Sequence, residues 1–261
     1  MANPWRMMPL MSATGAAQMA IDSWLLDQHV NGLQPSCLRF YTWRSPTISL
    51  GYHQRQFPDH WNNLRYKGQA VEVVRRPTGG RAVLHQGDLT YALVTSGYKD
   101  SRRETYRQLC QFLIEGWREL GVDLSFGNAG RGYIKNPNCF GTATSADLVT
   151  NDGYKLIGSA QVYREGCVLQ HGSMRLQPDS ELFKTVFGEP LPDLSKQWST
   201  VQDTERIIDA LAKAAISYFG TNFVIEPLSS TEIESALRAN QDNPALSNRS
   251  AVISKLGSIG D

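Results

Sequence analysis

The stretch VVRRPTGGRAVLHQGDLTYALV, residues 73–94, decides how the chain folds. The run AVEVVR at 70–75 is β-branched and reads as a strand, Pro77, Gly79 and Gly80 break it, and LTYALV at 89–94 resumes extended structure. A glycine loop therefore sits between strands. Two adjacent glycines let the backbone approach a ligand closely and turn N–H groups toward an anion or a carbonyl. The flanking Arg75, Arg76 and Arg81 can grip a phosphate or carboxylate. The same residues also describe a glycine turn with a solvated basic rim, and composition does not choose between the two. No Gly-Lys-Ser/Thr follows, so this is not a Walker loop. GNAGRG at 127–132 has its glycines at the wrong offsets for a dinucleotide fingerprint.

Upstream, Ala17, Ala20, Ile21, Trp24 and Leu25 recur at helical spacing, with Ser12 or Thr14 as the natural cap. Pro9, Ser12, Thr14 and Gln18 interrupt the N-terminal apolar stretch, so it is not read as a signal peptide and a cytoplasmic protein is expected. Residues 38–43 and 47–52, joined by Arg44-Ser45-Pro46, predict a hairpin. Downstream, Tyr106, Leu109, Cys110, Leu113 and Trp117 mark a core-facing helix over 102–120 that Gly121 ends. Residues 127–138 are loop chemistry and deliver Cys139 into a break between elements. Segments 147–150, 155–163 and 167–174, separated by Asn151-Asp152-Gly153 and a turn at Glu165-Gly166, predict a three-stranded meander. A helix over 203–219, with Ile207, Ile208, Leu211, Ala214, Ala215 and Tyr218 on one side, and a short strand at 222–225 follow. The core ends near 228. Residues 229–240 can form one helix, and the Ser, Asn and Gly rich segment 241–261 is expected to fray.

The 261 residues amount to one large domain or two small ones, and no linker or repeat divides them equally. At 41% hydrophobic and 20% charged residues the chain buries a core, and no apolar run approaches the roughly 20 residues of a spanning helix. A net charge of +1 supplies no global field for nucleic acid or an anionic membrane, so any charge recognition is local. Four cysteines without a CxxC pair suit a reducing compartment. Of these, Cys139 is set apart by its loop, whereas Cys37, Cys110 and Cys167 belong to strands or to the helix stripe. The five histidines show no HxxxH or His/Cys cluster, so no metal site is expected. Lys155 follows a tight turn and by spacing alone is a solvated strand residue.

RRPTGGRAVLHQGDLTY at 75–91, Lys155 within GYKLIGSAQ (153–161) and LQHGSM (169–174) resemble the lipoate–biotin protein ligase and octanoyltransferase superfamily. MAIDSWLL (19–26), ISLGYHQ (48–54) and ETYRQLCQFLIEGWRELGV (104–122) fall in the family order, so the resemblance covers residues 15–225. Asn138-Cys139-Phe140, with the cysteine sixteen residues ahead of Lys155, is similar to LipM-type octanoyltransferases, which use a cysteine there as acyl carrier. Where those enzymes show Pro-Ser and then an aromatic and an acidic residue, this chain has Gly141-Thr142-Ala143-Thr144-Ser145-Ala146-Asp147, small residues that widen or reshape the site.

The resemblance implies an α/β (α+β) domain of the class II biotin synthetase and lipoate ligase kind, a mixed, mainly antiparallel sheet flanked by helices. The catalytic domain is placed at 1–228 and a partly disordered C-terminal extension at 229–261. It implies octanoyl transfer from octanoyl-acyl carrier protein to a lysine of a lipoyl-accepting domain, without cofactor, by a monomer. Cys139 is the expected nucleophile and Lys155 the group that lowers its pKa and binds the acyl carbonyl. Arg75, Arg76, Gly79, Gly80, Arg81, His85, Gly158, Ser159, Ala160 and His171 are the expected substrate-binding residues, the two histidines as pocket-lining or hydrogen-bonding groups. The alternatives are an ATP-dependent lipoate ligase, with Arg75, Arg76 and Lys155 on the phosphate, and a non-catalytic module that docks lipoyl domains or carrier protein.

Overall fold

A computed structural model describes residues 4–127, 147–192 and 203–241. In chain order these form β1 (Trp5–Ala13), α1 (Gly15–Val30), β2 (Cys37–Trp43), β3 (Thr47–Leu50), the short β4 (Arg65–Tyr66) and β5 (Gln69–Ala70), β6 (Glu72–Arg75), β7 (Val83–His85) and β8 (Asp88–Ser96). Then come α2 (Arg102–Glu119), β9 (Leu124–Phe126), β10 (Asp147–Thr150), β11 (Lys155–Arg164), β12 (Cys167–Arg175), α3 (Ser180–Phe187), α4 (Thr204–Phe219), β13 (Phe223–Ile225) and α5 (Ser230–Gln241).

The main sheet runs β13-β1-β2-β8-β12-β11-β10-β9. Its first two pairings are parallel and the rest antiparallel, so it is mixed and mainly antiparallel, as expected. Successive strand side chains point to opposite faces, and both faces are used. On β8, Leu89, Tyr91 and Leu93 join the core under α2 and α4, while Ala92 and Val94 join the core under α1. All nine positions of β12 are buried, which suits a strand covered on both sides. Burial of each large apolar side chain contributes about 1.5–3 kcal/mol.

The meander is present as β10, β11 and β12, and α2 keeps the predicted stripe, with Leu109, Cys110, Leu113 and Trp117 fully buried. Three expectations need correction. Residues 38–43 and 47–52 do not pair as a hairpin: β2 is taken between β1 and β8, whereas β3 is the centre of a second sheet, β6-β3-β7. Arg44-Ser45-Pro46 is thus a crossing between sheets, held where Glu72 N–H donates to the Pro46 carbonyl (2.9 Å) and Ser45 bonds the Glu72 carboxylate. The N-terminal stretch read only as a lead into the first helix forms β1, and α1 begins after it with Thr14 as cap. On α4, Ile207, Leu211, Ala214 and Ala215 are buried but Tyr218 is exposed. The helix read at 229–240 packs on α1, with Ala236 buried and Arg6 paired to Glu232 at 2.7 Å. Residues 242–261, expected to fray, lie outside the described residues. No helix among the described residues is long and apolar enough to cross a membrane.

Candidate active site

A chamber opens between the glycine loop and the middle of the main sheet, enclosing with its mouth about 530 Å³ of empty space. The surface presented to it is mostly apolar, drawn from Met19, Tyr41, Trp43 and Val83, and a few polar groups converge on it.

Lys155, at the start of β11, is one of them. It is buried at 5% exposure, so the solvated-strand reading fails, and its Nζ lies 2.8 Å from Asp147 Oδ1 on β10. The register explains how it gets there. Leu148 pairs with Ile157 but Val149 pairs with Lys155, so β11 carries one extra residue, a bulge of the kind that re-aims side chains. Without it Lys155 and Gly158 would point to opposite faces; with it they meet, and a Cβ on Gly158 would sit 3.2 Å from Lys155 Cε and 3.6 Å from Asp147 Oδ1. The Lys155 carbonyl accepts from Arg175 Nη2 at 2.9 Å, which fixes the backbone at the bulge.

Two histidines line the chamber, each held by a carboxylate. His171 Nδ1 is 2.7 Å from Asp22 Oδ2, and its Nε2 is 2.7 Å from Thr78 Oγ1 in the glycine loop. Asp22 also pairs with Arg39 Nε at 3.1 Å and accepts from Tyr41 at 2.9 Å. Burial, reinforced by the Asp22 charge, pushes the Tyr41 hydroxyl well above its ordinary pKa, so it stays a donor. His85 Nδ1 is 2.8 Å from Asp88 Oδ2, which also accepts from Thr90 and Ser173, and His85 Nε2 is 2.8 Å from Ser49 Oγ. Its ring stacks on Trp43 with centroids 3.8 Å apart. Burial lowers the His85 pKa against the opposing pull of Asp88, so the ring is neutral at pH 7, donating to Asp88 and accepting from Ser49.

Of the residues singled out in the sequence, Arg76, Gly79, Gly80, His85, Lys155, Gly158, Ser159, Ala160 and His171 line the chamber. Arg75 does not: its guanidinium donates to the Gly51, Tyr52 and Gln54 carbonyls. Arg76 reaches the chamber but donates to the carbonyls of Ser49, Gly79 and Arg81. In the structure both guanidiniums bond backbone carbonyls and so hold the loop in shape. Arg81 is absent from the chamber lining. The loop rests on Gly51, where a Cβ would stand 1.9 Å from the Gly80 carbonyl oxygen. Cys139 lies outside the described residues, as do 128–146. The described chain resumes at Asp147, already in the chamber, and Gly127 N–H donates to the Asp147 carbonyl at 2.9 Å. The other three cysteines are buried, and burial pushes the Cys37 and Cys110 thiols up to about 12 and raises Cys167. None is poised to react. Among the described residues no group of three His, Cys, Asp or Glu side chains is arranged to hold a metal ion.

Sequence reasoning missed Asp22, Asp88, Ser49, Thr78 and Trp43 as parts of the site. One signal was available: Asp22 interrupts the apolar run MAIDSWLL, and a carboxylate in such a run needs a buried partner.

The family model for the lipoyl protein ligase A/B catalytic domain matches residues 14–214, a span that contains every chamber residue named above. The chain belongs to this family. Among other members of the lipoyl protein ligase A/B family, it is 36% identical over 231 residues to the octanoyltransferase LipM of Lysinibacillus sphaericus, covering 84% of this chain and 79% of the relative. It is 34% identical to the LipM of Halalkalibacterium halodurans, covering 89% and 92%. Two solved structures share the fold of this lipoyl protein ligase A/B member. A lipoate-protein ligase A bound with ATP matches at TM-score 0.74 and 20% identity, covering 93% of this chain and 96% of that one. A bi-partite lipoate protein ligase from Thermoplasma acidophilum matches at 0.70 and 19%, covering 93% of each.

Proposed function

We propose that the protein is an octanoyltransferase that moves an octanoyl group from acyl carrier protein to a lysine of a lipoyl-accepting domain through a thioester on Cys139. The observation that carries this reading is a single buried ammonium, Lys155, at a mostly apolar chamber. The relatives named octanoyltransferase support the acyl group and the reaction class.

In the first step the Cys139 thiolate attacks the donor carbonyl, Lys155 Nζ holds the developing oxyanion, the carbon–sulfur bond to the carrier breaks and the carrier sulfur takes a proton. In the second, the acceptor amine attacks the Cys139 thioester, an amide forms, and the departing sulfur takes the proton that the amine gives up. A thiol of ordinary pKa about 8.5 is mostly protonated at pH 7, and a nearby ammonium raises its thiolate fraction. A donor aimed at an oxyanion is worth about 2.7–4 kcal/mol of barrier. Asp147 follows Cys139 by eight positions, a tether of at most about 28 Å, a length compatible with the sulfur reaching Lys155.

The alternative, an ATP-dependent ligase with Arg75, Arg76 and Lys155 on the phosphate, would have to draw the two arginines away from the backbone carbonyls they bond. The test is intact mass after mixing with octanoyl-acyl carrier protein without nucleotide, wild type beside Cys139→Ser. A gain of one octanoyl group by the wild type alone is expected. Product only on adding ATP and free lipoate refutes the reading in favour of the ligase. Unmodified protein that still binds acceptor refutes it in favour of a docking module.

A further inference from the structure

Next to the chamber lies a second, larger and more open groove, which shares Gly79 and Ala160 with it. Its walls carry Arg102 and Arg103 from the first turn of α2 and Arg164 from the end of β11, and among the described residues no acidic side chain lines it. The three arginines are differently engaged. Arg164 is paired with Asp27, and Arg102 lies over the Tyr163 ring at 5.1 Å. Arg103 is exposed and has no hydrogen-bond or ion-pair partner among the described residues. In a chain of net charge +1, a trough whose described lining holds three arginines, one of them paired with Asp27 outside it, and no carboxylate is a local feature with a sign.

We infer that this groove holds the phosphate-bearing arm of the acyl donor, with Arg102 and Arg103 on the phosphodiester and the acyl chain passing Gly79 and Ala160 into the chamber. The inference rests on the proposed function, because it takes the donor to be a thioester. Three features favour an arm over a globular surface. The cations line a concavity, it runs directly into the chamber, and Tyr163, Tyr52 and Tyr106 along it offer flat contacts to an extended chain. Arginine suits the task because its planar fork matches two phosphate oxygens at once. A carrier-protein arm and a coenzyme A arm share this chemistry, and the donors used in the test separate them.

The test compares acylation rates of the full chain with octanoyl-acyl carrier protein, octanoyl-coenzyme A and octanoyl-pantetheine, which has the thioester but no phosphate. The variants are Arg102→Glu/Arg103→Glu and, as a milder pair, Arg102→Gln/Arg103→Gln. The readout is kcat/KM for each phosphate-bearing donor divided by that for octanoyl-pantetheine. The expected result is a fall in this ratio of about tenfold to a hundredfold, larger for Glu than for Gln, and a wild-type ratio that declines with salt. A fall with both donors is expected, because both carry the arm's phosphate; a fall with the carrier protein alone would place the arginines against the carrier's own surface and overturns the inference. An unmoved ratio overturns the inference. So does a loss confined to the second half-reaction, measured from enzyme already acylated, which would give the groove to an acidic acceptor domain. A wild type acylated by no thioester removes the proposed function and this inference with it, whereas a wild type acylated normally with an unmoved ratio removes this inference alone.

Discussion

Replacement of Trp43 by alanine should lengthen the acyl chain that the chamber accepts. Trp43 ends β2 and Lys155 begins β11, and β8 and β12 lie between them. Three strand spacings of about 4.8 Å put the two backbones about 14 Å apart across the sheet. An extended octanoyl chain spans about 9 Å, since a carbon–carbon bond of about 1.5 Å advances about 1.25 Å. Placed as proposed, with its carbonyl at Lys155, the chain leaves a distance that the lysine stem and the indole fill, which sets Trp43 at its far end. The ring is well fixed: its N–H donates to Thr90 Oγ1 at 2.9 Å, it stacks on His85, and Tyr41 lies against it at 5.7 Å. Its removal opens room for about four methylenes, worth about 0.8 kcal/mol each, or up to about 200-fold in preference. The lost packing, stack and hydrogen bond cost about 2–4 kcal/mol of stability. The assay is competition between C8 and C12 thioester donors, read as the ratio of kcat/KM values on protein shown to be folded by circular dichroism. A C12/C8 ratio that rises by an order of magnitude or more is expected. A folded variant with an unchanged ratio refutes the placement of the chain.

Asp147→Asn removes the counter-charge seen on Lys155 in a buried site, and a loss of about 3–5 kcal/mol is expected in urea denaturation; the double variant Asp147→Asn/Lys155→Met should be more stable than the single one. Gly51→Ala sets a methyl against the Gly80 carbonyl, so the glycine loop must move, and both thermal stability and acyl transfer should drop; unchanged acylation kinetics would show that loop position does not matter. The pH dependence of stability has a definite sign at His85. Its folded pKa lies below the unfolded value of about 6.5, so the unfolded chain binds the extra proton between the two, and stability falls as pH drops through this window by up to about 1.4 kcal/mol per unit. Against wild type, His85→Gln should flatten the denaturation midpoint below pH 6.5, and parallel profiles would refute the assignment.

What the sequence disclosed, and what it hid, divides by the range of the interactions. The meander, α2 and the glycine loop rest on turns and periodicity within a few tens of residues, and each was legible. The hairpin error came from treating nearness in sequence as pairing. Residues 38–43 and 47–50 are both β-formers, but which strands they join depends on β8 and on β6 and β7, whose claims on them no local pattern encodes. The engagement of the arginines was hidden for a related reason. Arg75 and Arg76 look identical to anion ligands until one knows that the carbonyls of Gly51, Tyr52, Gln54 and Ser49 lie in front of them. Asp22 was hidden because its partners, Arg39 and His171, lie 17 and 149 residues further along the chain.

Buried charges are the part of this fold that packing does not explain. Asp22, Arg39, Asp147 and Lys155 are each no more than 5% exposed, and replacing such pairs by hydrocarbon of similar volume is often neutral or stabilising in other proteins. Their value here lies in what they hold still. Asp22 orients His171, and His171 holds Thr78, so the glycine loop is fastened through β12 to α1. Arg76 fastens the same loop to β3 through the Ser49 carbonyl. Between these two attachments, Gly79 and Gly80 face the chamber while the flanking backbone is fixed. Asp147 anchors Lys155 in the same way from the other wall, at the point where the chain returns from the segment that carries Cys139. A lysine held by a carboxylate on a bulged strand is kept from swinging away when the chamber is empty, so under the proposed mechanism the oxyanion donor is in place before the acyl group arrives. That arrangement trades stability for preorganisation, which suits the proposed reaction, in which one set of groups serves both a donor and an acceptor protein.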